Sequence, residues 1–125
     1  MAEEPIAVWH LETANASPGR FKKFSKKHRQ EYDSLFANLE KIMNLLRSGH
    51  KIGGFSVGFF RSEGEGVYRI GQTGVPSAKE SRLYVFPDER NCAMHVLNIG
   101  DKDGQQDDVN EAKRIARQIK STPSQ

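Results

Sequence analysis

The stretch from Ser81 to Lys120, SRLYVFPDERNCAMHVLNIGDKDGQQDDVNEAKRIARQIK, constrains the fold of this chain more than any other. Arg82-Leu83-Tyr84-Val85-Phe86 is rich in strand formers, and Pro87-Asp88-Glu89-Arg90-Asn91 supplies residues that fix φ or bond to their own backbone, so a turn follows the strand. Cys92–Ile99 is then apolar on both faces. Such a run suits a strand covered on both sides; periodicity alone also allows a buried helix, and the turn signals that flank it favour the strand. A Gly100-Asp101-Lys102 corner leads into a helix with Val109, Ala112, Ile115, Ala116 and Ile119 as its apolar stripe and Asp107 or Asp108 as its cap. The expectation is a β-hairpin that turns a corner directly into an amphipathic helix.

The remaining 85 residues must build on that unit, because 125 residues suffice for one domain with a core and are few for two. One domain spanning 1–125 is expected, with 1–5 and 121–125 frayed. Ile6–Thr13 reads as a first strand. Ser17 before Pro18 matches an N-cap and first helical position, which predicts a helix carrying Phe21 and Phe24. Tyr32, Leu35, Phe36, Leu39, Ile42, Met43 and Leu46 recur at three- and four-residue intervals, which is one helix face, and Gly49 ends it. Charges between Phe24 and Tyr32 interrupt the stripe and favour two helices over one. Ile52–Phe60 gives a strand signal weakened by glycines, Arg61–Gly66 a turn, Val67–Ile70 a short strand with Val67 and Arg69 on one face, and Gly71–Lys79 a polar loop. Strands in hairpins with helices set apart define an α+β fold, a small twisted antiparallel sheet with two N-terminal helices and one C-terminal helix. The helices are expected on one face of the sheet, which leaves the other for function.

Charge is distributed unevenly around a formal net of +3. Arg20–Arg29 holds six Lys/Arg and no acid, which makes either a solvated helix face or a surface for polyanions. The single cysteine, Cys92, excludes an intramolecular disulfide and a multi-cysteine zinc site, and reads as a core residue of a reducing compartment. No run approaches transmembrane length, and the acidic start Met1-Ala2-Glu3-Glu4-Pro5 is unlike a signal peptide, so a cytoplasmic protein with no membrane partner is expected. There is no phosphate loop, no metal-binding His spacing and no nucleophile elbow, and no cofactor is implied. What remains is cationic. Arg69 and Arg82 fall on neighbouring strands and Lys102 follows the last one, a set suited to holding a phosphate and the charge that builds on it, or else surface cations flanking strands. Tyr84 shares a face with Arg82 and reads as a packing residue or an acid–base group; His95, among apolar neighbours, reads as a core histidine or an acid–base group.

Three segments together resemble the RelE/ParE superfamily of toxin–antitoxin toxins, particularly its addiction-module killer and HigB-like branch. Arg20-Phe21-Lys22-Lys23-Phe24 through Leu46-Arg47-Ser48-Gly49 is similar to the family's basic helical hairpin, and Val67-Tyr68-Arg69-Ile70 with Arg82-Leu83-Tyr84-Val85-Phe86 to its two arginine strands. Ile99-Gly100-Asp101-Lys102 through Ala112 is similar to its Gly-Asp-Lys-x-x-Gln-x-x-Asp-Ile-x-x-Ala ending, the most specific of the three. The resemblance implies a type II toxin that enters the ribosomal A site and cuts messenger RNA by attack of the ribose 2′-hydroxyl on the adjacent phosphate. It also implies a cognate antitoxin. Arg82, Arg69 and Lys102 then match the family's phosphate-contacting cations, and Tyr84 is added from strand geometry. Lys22, Lys23, Lys26, Lys27 and Arg29 become the RNA-binding surface. Relatives often carry a Tyr or His near the start of the last helix or the C-terminus, where this chain has Gln105–Val109, and the loop Gly71–Lys79 is longer than theirs. The superfamily also includes gyrase poisons and members without nuclease activity, which gives the alternative of a non-enzymatic binding protein.

Overall fold

The structure is a computed structural model that describes residues 8–76 and 80–122. The expectations for residues 1–7, 77–79 and 123–125 lie outside the described residues.

Five strands form one sheet in the order β1-β5-β4-β3-β2, where β1 is His10–Glu12, β2 Phe60–Gly64, β3 Val67–Gly71, β4 Ser81–Asp88 and β5 Ala93–Asp101. The three hairpin pairings are antiparallel, as expected, but β1 joins β5 in parallel, so the sheet is mixed at that edge. The chain leaves β1 through two helices, α1 (Pro18–Lys27) and α2 (Arg29–Arg47), and closes on α3 (Gln105–Ser121).

Local chemistry explains most boundaries. The Ser17 side chain accepts from the Arg20 N–H with Pro18 at the first helical position. His28 leaves helical geometry at φ −133°, ψ 62° and divides α1 from α2 where the charges interrupt the apolar stripe. At the end of α2, Gly49 takes φ 97°, its N–H bonds to the Leu46 carbonyl and the His50 N–H to the Leu45 carbonyl, which is a Schellman ending. The cap of the last helix differs from expectation. Asp101 accepts from the Asp103 N–H and starts a 3₁₀ turn, Lys102–Gly104, that runs into α3, whereas Asp107 sits in the first turn and Asp108 is buried.

The expected strand at Ile52–Phe60 is not one. Gly53 takes φ 84°, and bonds from the Gly54 N–H to Lys51 and from the Phe60 N–H to Val57 curl the segment into turns that still seat Phe55, Val57 and Phe59 against the core. The strand begins only at Phe60 and runs through the expected turn to Gly64. Cys92 also differs: it lies in the β4–β5 turn at φ 50°, half-buried, and not within the strand.

Nor do all helices share a face. α1 and α2 cover the side carrying Ile70, Leu83, Val85, Met94, Val96 and Ile99, while α3 covers Val67, Tyr84, Phe86 and Leu97 on the other. Every residue of β4 is therefore buried. A register shift after Tyr84 lets two successive residues of β5, Leu97 and Asn98, meet α3: Leu97 packs in its cluster, and the Asn98 amide donates to the Asp108 carbonyl at 3.1 Å. Among the described residues no helix is long and apolar enough to cross a membrane.

The corner between β5 and α3 is locked by the side chain of Arg20. Its Nε donates to the Ile99 carbonyl at 2.8 Å, one terminal nitrogen meets Asp108 at 2.6 Å and the other Glu111 at 3.3 Å. The Asp108 carboxylate fills the space where a Cβ on residue 100 would stand, so only glycine fits there. Gly100→Ala should displace that carboxylate and destabilise the protein by about 1–3 kcal/mol, the usual cost of forcing an extra carbon into packed surroundings. A lower urea midpoint with an unchanged m-value checks it.

Candidate anion-binding cleft

The site begins with the β2–β3 turn. Gly64, Glu65 and Gly66 take φ of 94°, 55° and 83°, a left-handed turn whose twist matches the flanking strands. α3 holds it from beneath: Arg117 contacts the Glu65 carboxylate at 3.0 Å, and the Lys120 ammonium donates to the Glu65 carbonyl. The register this turn sets places Arg61 directly opposite Arg69, and Arg69 opposite Tyr84. Directly opposed side chains share a face, so Arg61, Arg69, Tyr84 and, two residues along, Arg82 all point to the side that α3 covers.

α3 starts at Gln105 and leaves a strip of that face open beyond its first turn. A cleft of about 580 Å³ occupies the strip, lined by Arg61, Arg69, Arg82, Gln72, Thr73 and Glu80 among others. Arg61 and Arg69 also border a smaller polar hollow of about 480 Å³ alongside it. The Arg82 side chain is 11% exposed and is held by the Gln105 amide oxygen and by Glu80 at 3.1 Å. The Arg69 guanidinium has no hydrogen-bond or ion-pair partner among the described residues, and the Arg61 guanidinium spends one N–H on the Gly58 carbonyl at 3.3 Å. Two arginines directly opposed on adjacent strands repel, and among the described residues the cleft sets one carboxylate beside three guanidiniums. The fork of N–H donors on each arginine suits phosphate oxygens.

Arg69 and Arg82, singled out from the sequence, are thus brought together. Arg61 was missed, because its segment reads as a turn; the signal that could have found it is the Phe-Arg-Ser-Glu alternation that makes it a mirror of Arg69 across a glycine turn. Lys102 is exposed on the 3₁₀ turn and is not among the residues lining the cleft.

Tyr84 is not available as an acid–base group. It is fully buried beneath α3, its hydroxyl has no hydrogen-bond partner among the described residues, and burial, with Asp108 nearby, pushes it up to about 12, against the pull of Arg82. Packing is the role the fold gives it.

Lys22, Lys23, Lys26 and Lys27 are exposed along α1, and Arg29 pairs with Asp33 at 3.3 Å in the first turn of α2. Lys23 and Lys27 border a groove of about 300 Å³ with Arg20, Gly100 and Asp101, while Arg20 itself is drawn inward by Asp108. Burial pushes Asp108 up despite the Arg20 contacts, which lower it.

A larger hollow of about 670 Å³ lies at the opposite end of the sheet, between β1, the β4–β5 turn and the last turns of α3. His95 lines it, buried, its ring stacked on Phe86 with centroids 5.6 Å apart and its Nε2 3.5 Å from Asp88. This is the core histidine of the sequence reading with a carboxylate neighbour added.

No protein-family model matches the chain, and comparisons with curated proteins and with solved structures find no match.

Burial works to raise the Asp88 carboxyl, but hydrogen bonds from the Asn91 side chain and the contact with His95 outweigh it and hold the group below the ordinary aspartate range. A carboxyl lowered in the folded state adds stability that is present above its unfolded value of about 3.9 and is lost as pH falls through the folded value. Asp88→Asn should therefore flatten the acid limb: its urea midpoint should fall less than that of the native protein between about pH 5 and about pH 2.

Proposed function

We propose that the chain is a RelE-like toxin that grips the backbone of messenger RNA in the arginine cleft and promotes attack of a ribose 2′-hydroxyl on the adjacent phosphate. The observation that carries this reading is the like-charge pair Arg61 and Arg69 with Arg82 beside it. Three guanidiniums around one hollow match what the reaction requires, since the transition state adds negative charge to a phosphate already held by its oxygens. The exposed lysines Lys22, Lys23, Lys26 and Lys27 would add salt-dependent, sequence-independent affinity for ribosomal RNA. The Gly-Asp-Lys ending that carries the family resemblance has a physical role here, since Gly100 and Asp108 interlock. The partners of this reading are the ribosome, its message and a cognate antitoxin in the cytoplasm.

A second reading is favoured by the burial of Tyr84, which removes the expected aromatic acid–base group: the cleft binds a polyanionic partner, on gyrase or elsewhere, without chemistry.

Induced expression of the chain should arrest growth, and primer extension on translated messages should reveal new 5′ ends. Arrest without such ends favours the binding reading. Arg82→Ala and Arg61→Ala should each lower cleavage by roughly 10²–10³. Arg61 is exposed, so its variant should melt with the native protein, and native cleavage rates in Arg61→Ala would remove the cleft from the reaction.

A further inference from the structure

We propose that Glu80 is the general base of this cleft, the group that takes the proton from the attacking 2′-hydroxyl. The inference rests on the nuclease reading of the arginine cleft and names the acid–base residue that reading lacks once Tyr84 is buried.

Among the described residues that line the cleft, Glu80 is the one carboxylate. Its Oε2 lies 3.1 Å from a terminal nitrogen of Arg82, yet its side chain remains 67% exposed and open to a ligand. The peptide that follows it is fixed at both its carbonyl and its N–H. The Lys102 N–H donates to the Glu80 carbonyl at 2.9 Å, and the next residue, Ser81, donates its N–H to the Gln72 side chain at 2.9 Å. The carboxylate thus swings on an anchored stem. Arg82 has more donors than Glu80 and Gln105 consume, so one guanidinium serves a phosphate oxygen and the carboxylate together.

Covalent geometry supplies the next step. In a ribonucleotide the 2′-oxygen and the phosphorus it attacks are about 3–3.5 Å apart in a reactive conformer. A phosphate seated on Arg82 therefore brings its own nucleophile within reach of a carboxylate that touches the same arginine. As the 2′-oxygen to phosphorus bond forms, the 2′ O–H bond breaks and its proton passes to Glu80. The developing charge is held by Arg61, Arg69 and Arg82. The bond from phosphorus to the 5′-oxygen then breaks, the 5′-oxygen takes a proton from water, and Glu80 returns its proton to solvent. The products are a 2′,3′-cyclic phosphate and a 5′-hydroxyl, with no net change in protons.

The test uses the full chain in a cell-free translation reaction with one defined message, cleavage being followed by primer extension. Binding of a labelled single-stranded oligoribonucleotide is followed in parallel by anisotropy. Glu80→Gln keeps an acceptor for Arg82 and removes the base. It should cut about 10²–10⁴-fold more slowly while binding no more weakly than the native chain. Its residual rate should climb with pH, because hydroxide must replace the base, where the native rate reaches a plateau. Cleavage by Glu80→Gln within a few-fold of native would overturn the assignment and leave the nuclease reading intact. Parallel loss of binding and cleavage would also overturn it, showing that Glu80 only positions Arg82. If the native chain gives no new 5′ ends, the nuclease reading fails and Glu80 as its base fails with it.

Discussion

The guanidinium of Arg20 ties together parts of the molecule that the sheet would otherwise keep apart. It belongs to α1, on one side of the sheet, and reaches around the end of β5 to the carboxylates of Asp108 and Glu111 on α3, which covers the other side. On the way it satisfies the Ile99 carbonyl. Asp108 needs this partner, since burial raises its carboxyl and would favour the neutral form were no cation beside it. A partly buried ion pair of this kind repays little of its desolvation in stability, but breaking it leaves a charge without compensation, so it fixes a geometry more than it deepens a well. The geometry it fixes is where α3 begins.

That starting point decides what the sheet leaves uncovered. Were α3 one turn longer at its N-terminus, it would lie over the strip that carries Arg82. Instead Gln105, its first residue, meets Arg82 end-on and helps to orient the guanidinium. Farther along, Arg117 and Lys120 hold the Glu65 turn and through it the register that opposes Arg61 to Arg69. One helix therefore buries Tyr84, orients one arginine and sets the positions of two more.

Much of this was legible from the residues. The hairpin, the corner, the broken helical pair and the stripe of α3 follow from periodicity and from local capping chemistry, which act over a few residues. The errors at Tyr84 and Asp108 came from effects that act across the sheet, and those at Ile52–Phe60 and Arg61 from glycine turns. Alternation placed Tyr84 and Arg82 on one face correctly, but nothing local says that α3 crosses to that face and buries the first while leaving the second at a rim. Asp108 reads as a cap because acids crowd the start of α3; its actual partner, Arg20, is 88 residues away in sequence. Glycines hid Arg61, since a segment ending in Gly-Glu-Gly reads as loop although the turn needs only its last residues.

The same corner also relates the two basic surfaces. Arg82 is paired with Gly100 and Ser81 with Asp101 across β4 and β5, so the arginine cleft and the groove bordered by Lys23 and Lys27 meet the ends of the same two strands. Their spacing is set by strand pairing and by the Arg20 contact. A rigid spacing of this kind favours a ligand whose charges recur at fixed intervals along a backbone over a diffuse acidic surface, because the ordering cost on the protein's side is already met before binding. In the proposed nuclease reading the lysines would contribute reach and salt dependence, while three arginines in one hollow would concentrate charge where the reacting phosphate sits.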